Sequence, residues 1–239
     1  MTEIEVKNLC KTINKNMVLD NINLHMVSGQ VYGFQGINGS GKTMLMRALI
    51  GLIHPTSGTI LIDQKELGKD MDFPKSIGFL LENPTFLDMY SGPDNLRLLA
   101  GVDNNISADM INKEIDSLIE EVGLKSARNK KYKKYSLGMK QRLGIAAAVL
   151  GNPDIVVLDE PTNALDDDGK DMVKRIVKMQ KERGALVIIS CHEMQTLEEL
   201  SDEIVRLKDM CPPTARSLHW AAMCCSAASK ATETKRNTR

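Results

Sequence analysis

Apolar residues in this chain occur in two kinds of run, and each kind predicts a different element. Continuous runs without polar alternation stand at residues 31–34, 77–81, 155–158 and 186–189. Such runs predict strands buried on both faces, as in a parallel sheet covered by helices. Partial alternation at Ile4, Val6, Val18, Ile22, Leu24 and Met26, broken by the polar turn Asn14-Lys15-Asn16, predicts short antiparallel strands that form a flap ahead of the first buried run. A strand over 59–62 follows the loop His54-Pro55-Thr56-Ser57-Gly58, where His54 reads as a loop residue, and one near 204–207 closes the pattern. Helical spacing marks 44–50, stopped by Gly51, then 93–100 and 108–122, whose Ile111, Ile115, Leu118, Ile119 and Val122 make one apolar stripe. Two longer helices run from Ser136 through Leu150 and to about Arg183, the latter with Met172, Ile176 and Met179 on one face, expected in the core. A short helix through Leu200 precedes the last strand. Strand and helix stop alternating between about 84 and 150, which reads as an inserted helical subdomain.

Candidate chemistry gathers at the ends of the buried runs. Gly36-Ile37-Asn38-Gly39-Ser40-Gly41-Lys42-Thr43 fits G-x-x-x-x-G-K-[ST] between the first buried strand and a helix that begins at Met44. Glycines at 36, 39 and 41 let the backbone N–H groups converge on a phosphate at the positive end of the helix. Lys42 is then expected on the β- and γ-phosphates and Thr43 on Mg²⁺. The run 155–158 delivers Asp159 and Glu160 to its carboxyl end, where open parallel sheets bind ligands. Asp159 is the expected metal-side acid, and Glu160 is the base that polarises the attacking water. Run 186–189 ends in Ser190-Cys191-His192-Glu193, and His192 is expected in the same crevice as a donor to the γ-phosphate. Glu82 ends the run at 77–81 in a comparable place.

Bulk properties narrow the field. At 239 residues the chain can bury a full-sized core. Its 31 Lys and Arg balance 31 Asp and Glu, so no overall field draws it to nucleic acid or anionic lipid. The local run Lys130, Lys131, Lys133, Lys134, interleaved with Tyr132 and Tyr135, reads as a solvated linker rather than a single-strand grip. Five cysteines form no C-x-x-C pair, which suits free thiols in a reducing compartment. The first residues resemble no signal peptide, and no segment approaches the roughly 20 apolar residues of a membrane span, so a membrane role is expected to come through partners.

With cradle, acidic strand and histidine together, residues 3–207 resemble the ATP-binding subunit of an ABC transporter. The added mark is Tyr135-Ser136-Leu137-Gly138-Met139-Lys140-Gln141-Arg142, in which Ser136 and Gly138 match the family signature Leu-Ser-Gly-Gly-Gln and Tyr135, Leu137 and Met139 do not. The resemblance implies an α/β fold: a P-loop NTPase core (RecA-like, ABC type) with an N-terminal antiparallel β flap and an inserted α-helical subdomain. It further implies ATP and Mg²⁺ as ligands, hydrolysis to ADP and phosphate, and an ATP site shared with Ser136 and Gly138 of a second cassette, identical or paralogous. Gly36, Asn38, Gly39, Ser40, Gly41, Lys42, Thr43 and Met44 fall on its nucleotide loop, Asp166 on the loop after the catalytic Glu160, and His192 on its switch histidine. Separate membrane permeases as partners, no nucleic acid, and a cytoplasmic place on the inner face of the membrane follow from the same likeness.

Three departures accompany it. Ile13 stands where the family usually stacks an aromatic on adenine, so weaker stacking and looser nucleotide choice are expected. Glu82 replaces the loop glutamine that contacts Mg²⁺, adding a charge beside the γ-phosphate and predicting tighter metal dependence. Glu82 together with the variant signature resembles the subgroup serving bacitracin resistance and lantibiotic self-protection. From Lys208 onward, Cys211-Pro212-Pro213, Trp220 and Cys224-Cys225 show no periodicity, so residues 208–239 are expected to be a poorly ordered tail, truncated or frame-shifted in origin with a divergent native ending as the alternative, outside a nucleotide-binding domain at 1–207. Alternatives to a transport motor are a soluble ABC-type ATPase and a nucleotide-dependent switch.

Overall fold

A computed structural model describes residues 1–82, 84–101 and 108–207. Residues 208–239, and the ordering expected of them, lie outside that range. In chain order the elements are β1 (Glu3–Ile13), β2 (Asn16–Val27), β3 (Val31–Gln35), α1 (Lys42–Leu49), β4 (Ser57–Ile62), β5 (Lys65–Glu66), β6 (Ile77–Leu80), α2 (Gly92–Ala100) and α3 (Ala108–Glu121). They continue with α4 (Leu137–Val149), β7 (Ile155–Leu158), α5 (Asp167–Glu182), β8 (Leu186–Ser190), α6 (Met194–Leu200) and β9 (Glu203–Arg206).

The continuous apolar runs become the parallel sheet, in the order β6-β7-β8-β3-β9. Alternate residues of these strands feed two separate cores. Val156, Leu158, Val187 and Ile189 pack with residues of α3, α4, α5 and α6 on one face. Ile155, Val157, Leu186 and Ile188 pack with β1, β2, β4 and α1 on the other. Burial on both sides removes any advantage of a polar residue at every second position, which is why the pattern does not alternate.

The antiparallel flap is larger than its sequence pattern. β1 and β2 run through 11 and 12 residues, and β4 and β5 join them in the order β2-β1-β4-β5. Register shifts between Val6 and Leu9, Leu9 and Lys11, and Lys11 and Thr12 explain the discrepancy, with Asn8 and Asn21 both in the left-handed region. Each shift resets which residues face inward, so the alternation marks only fragments of two long strands.

The helices carry one correction. On α5 the buried stripe is Met172, Val173, Ile176, Val177 and Gln180, while Met179, expected in the core, is 51% exposed. Three residues beyond Ile176 lies at the edge of that stripe, and Gln180, one turn on, takes the inner place. On α3, Ile115, Ile119 and Val122 are buried as the spacing predicts, with Ile111 and Leu118 packed partly against them. Tyr132 and Tyr135 point inward as well, their hydroxyls donating to the Pro84 and Ala127 carbonyls. Desolvation raises both phenol pKa values. Neither ring is available to stack on a base.

Ser136 caps helix α4, its Oγ accepting from Met139 N at 3.3 Å, and the helix then lies along β6. Close approach is set by Gly78, where a Cβ would overlap the Ala148 carbonyl oxygen. An alanine there would force helix and sheet apart.

Candidate active site

Strand order assembles the site. β8 lies between β7 and β3, so the segments leaving these three strands at their carboxyl ends are neighbours. From β3 the chain passes through residues 36–41 into α1. Gly41, at φ 94°, holds the N-cap position without any side-chain cap, and the first turn contains no acidic residue. A Cβ on Gly41 would also lie 2.8 Å from the Val18 carbonyl oxygen, so the backbone angle and the space both demand glycine. The positive end of the helix therefore keeps uncompensated N–H donors.

The loop favours an anion. Lys42 is largely buried, its Nζ donating to the Gly36 and Ile37 carbonyls at 2.7 and 3.2 Å. Among the described residues no carboxylate pairs with it. Ser40 Oγ is buried without a hydrogen-bond partner, a state that costs about 1–3 kcal/mol unless a ligand oxygen or water meets it. Facing this loop is an open cavity of about 270 Å³ lined by Val18, Asn38, Gly39, Gly41, Lys42, Thr43, Met44 and Glu160.

The acids are tied to the loop by short hydrogen bonds. Thr43 Oγ1 donates to Asp159 Oδ2 at 2.6 Å, and Ser190 Oγ donates to Asp159 Oδ1 at 2.5 Å. The same Ser190 oxygen accepts from Glu160 N at 2.9 Å. Glu160 sits at φ 50°, a left-handed backbone that costs a non-glycine residue about 1–2 kcal/mol. Ser190 on its N–H and Gln141 Nε2 on its carbonyl, at 3.3 Å, hold that turn in place. The strained turn aims the carboxylate at the cavity, where Oε2 lies 2.7 Å from His192 Nε2 and accepts from Asn163 Nδ2 at 2.6 Å.

A second group of residues comes from the start of α4 and from the loop after Glu160. Gln141 also donates to the Pro161 carbonyl, and a Cβ on Gly138 would lie 2.9 Å from the Ala164 carbonyl oxygen. Asp166 caps α5 by accepting from Gly169 N at 3.0 Å and pairs with Arg142 at 2.9 Å. Those bonds, the Gly169 one foremost, hold its carboxyl below the ordinary range. Thus α4 is bolted to the segment that follows Glu160. Ser136 and Gly138 do not line the cavity at Lys42.

Not every predicted residue converges. Glu82 makes an ion pair with Arg47 Nη2 at 2.5 Å, and it does not join Asp159 and Glu160 in a cluster that would hold a metal. Ile13 pairs with Asn16 at the tip of the β1–β2 hairpin and is absent from the cavity lining, whereas Val18 is present. Ser190, Gln141, Asn163 and Val18 were not singled out from sequence as site residues. Ser190 directly precedes Cys191-His192 at the end of a buried run, and Gln141 stands in the stretch from Tyr135 to Arg142 that resembles the family signature, which were the available signals; Val18 and Asn163 carried none.

A divalent cation of Mg²⁺ type fits what the chain offers. The hydroxyl of Thr43 and the carboxylate of Asp159 are hard oxygen donors, and no group of three or more His, Cys, Asp or Glu among the described residues would cage a metal unaided. Mg²⁺ suits such a site, because it is usually held by one or two protein oxygens together with phosphates and water.

Comparison with known proteins identifies the family of the chain. The ABC transporter family profile matches residues 19–163. An uncharacterized ABC transporter ATP-binding protein of Bacillus subtilis, YybJ, is 48% identical over 83% of this chain and 89% of its own length. The lantibiotic transport ATP-binding protein SrtF of Streptococcus pyogenes is 35% identical over 84% of this chain and 85% of its own. The bacitracin transport ATP-binding protein BcrA of Enterococcus faecalis is 36% identical over 84% of this chain, and the match spans 65% of the relative. Among solved structures, an ATP-binding subunit of an ABC transporter superposes with a TM-score of 0.78 at 27% identity, covering 85% of each chain. A dimeric ATP-binding cassette in a post-hydrolysis state with ADP and Pi superposes at 0.76 and 25% identity, covering 86% of this chain and 94% of that one.

Proposed function

This chain belongs to the ATP-binding, ATP-hydrolysing subunits of the ABC transporter family, and from that premise we propose that it drives separate membrane subunits that expel a lantibiotic- or bacitracin-like peptide. The observation that carries the catalytic half is the unbroken chain of contacts from Thr43 through Asp159 and Ser190 to Glu160 and His192, beside the Lys42 loop.

In the proposed reaction the loop N–H groups of Gly39, Ser40, Gly41 and Lys42 hold the phosphates, and the Lys42 ammonium leaves its carbonyls for the β- and γ-oxygens. Asn38 and Met44 border the phosphates, and Val18, rather than Ile13, offers an apolar contact on the nucleoside side. Thr43 and Asp159 would hold Mg²⁺, which would supply positive charge against the charge developing on the phosphates. Glu160 takes a proton from the attacking water as its oxygen bonds to the γ-phosphorus and the bond to ADP breaks. His192 and Asn163 keep that carboxylate aimed. Ser136 and Gly138 of a second copy or a paralogue close over the nucleotide, with Asp166 on the facing loop. Support for a two-chain site is that these residues stand outside the chain's own cavity, and that related cassettes are dimeric.

The membrane half rests on the names of SrtF and BcrA and on a surface feature. No helix among the described residues is long and apolar enough to cross a membrane. A groove of about 530 Å³ lies between β6 and the helices, lined by Ile77, Phe79, Leu81, Phe86 and Leu99, and exposed Leu87, Met89 and Leu98 stand nearby in sequence. An apolar segment of a permease fits that groove, with the chain held on the cytoplasmic face of the membrane. Co-purification from membranes tests the assignment: permease subunits should accompany the chain, and a lantibiotic or bacitracin should change its ATPase rate. Recovery without hydrophobic partners, at a rate indifferent to both peptides, overturns it.

A further inference from the structure

We propose that Arg47 is a positioning residue that competes with Mg²⁺ for Glu82, so that the chain's metal requirement is set by a guanidinium outside the nucleotide loop. The proposal rests on the reading above, in which Thr43 and Asp159 hold Mg²⁺, and extends it to Glu82, which the sequence pattern also puts on the metal side.

The argument begins on α1. Thr43 and Arg47 are four residues apart on that helix and therefore share one face. Thr43 Oγ1 on that face meets Asp159 at the end of β7. Arg47 Nη2, one turn on, meets Glu82 two residues past the end of β6. The two strand ends are themselves joined, since Asp159 N donates to the Leu80 carbonyl at 2.8 Å. Hence one helix face holds two carboxylates from adjacent strands, one by a hydroxyl and one by a cation. The first acid belongs to the expected metal donors; the second is turned to Arg47, and among the described residues no group of three or more His, Cys, Asp or Glu unites Glu82 with Asp159 and Glu160.

Glu82 is not relaxed in this pose. Its backbone lies at φ 54°, in the left-handed region, while its side chain remains 62% exposed. An exposed ion pair contributes only about 0.2–1 kcal/mol, too little to lock the side chain. A divalent cation with a nucleotide triphosphate can therefore draw the carboxylate across, leaving Arg47 to solvent. A glutamine in place of Glu82 would form no ion pair, so the competition exists only because the acid and Arg47 occur together.

The test is a double-mutant cycle between Arg47→Ala and Glu82→Gln, read by binding of a fluorescent ATP analogue at fixed nucleotide while Mg²⁺ is titrated. Arg47→Ala should lower the half-saturating Mg²⁺ concentration by about two- to fivefold, the range of an exposed pair. Arg47→Lys should restore the parental value, because a single N–H bond is made. In the Glu82→Gln background the Arg47→Ala shift should largely vanish. Equal shifts in both backgrounds, or no shift for Arg47→Ala while Glu82→Gln alone has a large one, overturn the latch and leave Glu82 near the metal. No shift from any of the variants removes Glu82 from the metal side altogether. Arg47→Gln, which keeps the aliphatic stem, repeats the measurement should the alanine variant unfold.

Discussion

Replacing Ser190 by alanine removes one oxygen and two hydrogen bonds from the centre of the site, and both losses have calculable consequences. Ser190 is fully buried. Its bond to Asp159 is to a carboxylate, a class of interaction worth about 1.5–3 kcal/mol. Its acceptance from Glu160 N satisfies a backbone donor at a left-handed residue, and an unsatisfied buried donor costs about 1–3 kcal/mol. The two terms share one atom and part of the loss is recovered by relaxation or a water, so about 2–4 kcal/mol of stability should disappear. Urea unfolding followed by circular dichroism measures it as a lower midpoint with an unchanged slope. Turnover should fall as well, by about tenfold for each ~1.4 kcal/mol of lost positioning, since Asp159 and Glu160 are both held by this hydroxyl. A variant within about 0.5 kcal/mol of the parent and with its full ATPase rate would show that the serine is a bystander and that the two acids are oriented by something else.

Other perturbations follow from the same geometry. Glu160→Gln keeps the shape of the turn but cannot accept a proton, so hydrolysis should fall by about a hundredfold or more while ATP still binds, and a dimer should accumulate on gel filtration with ATP. Chelating Mg²⁺ should abolish hydrolysis and remove most of the thermal stabilisation by ATP, which at a hundredfold excess over its Kd is about 2.7 kcal/mol. Gly78→Ala drives a methyl into the Ala148 carbonyl and should lower the midpoint of thermal unfolding by more than Gly151→Ala, where no atom stands within 4 Å but φ is 77°. At α2 the Ser91 hydroxyl, ahead of Arg97, keeps the Asp94 carboxyl below its ordinary pKa. A depressed carboxyl stabilises the fold above its unfolded pKa and loses that contribution as pH falls through the folded one, so Ser91→Ala should move acid unfolding, below about pH 4, to a higher pH.

The parallel sheet and the nucleotide loop could be read from the chain because burial on both faces writes an uninterrupted apolar run, and because a phosphate cradle needs glycines at fixed spacing. The flap is longer than its pattern suggests, since register shifts around Asn8 and Asn21 scramble the alternation that betrays a strand. Met179 is exposed although its spacing fits the stripe, because a residue at the margin of a helical stripe has the same spacing as one at its centre. Arg47–Glu82 and Ser190–Asp159 join positions 35 and 31 residues apart, and no local pattern encodes such a meeting. Side-chain partners across a sheet are fixed by topology, which becomes visible only once the strand order is known.

The bolting of α4 to the segment after Glu160 has a further implication for a pair of cassettes. Gln141 grips the Glu160 and Pro161 carbonyls, while a few residues earlier on the same rigid rod Ser136 would sit over the other copy's ATP. Cleavage at one nucleotide would thus tug on the cover of its twin. In such a pair two chemically separate events would become a reciprocal conversation, carried by one glutamine in each direction.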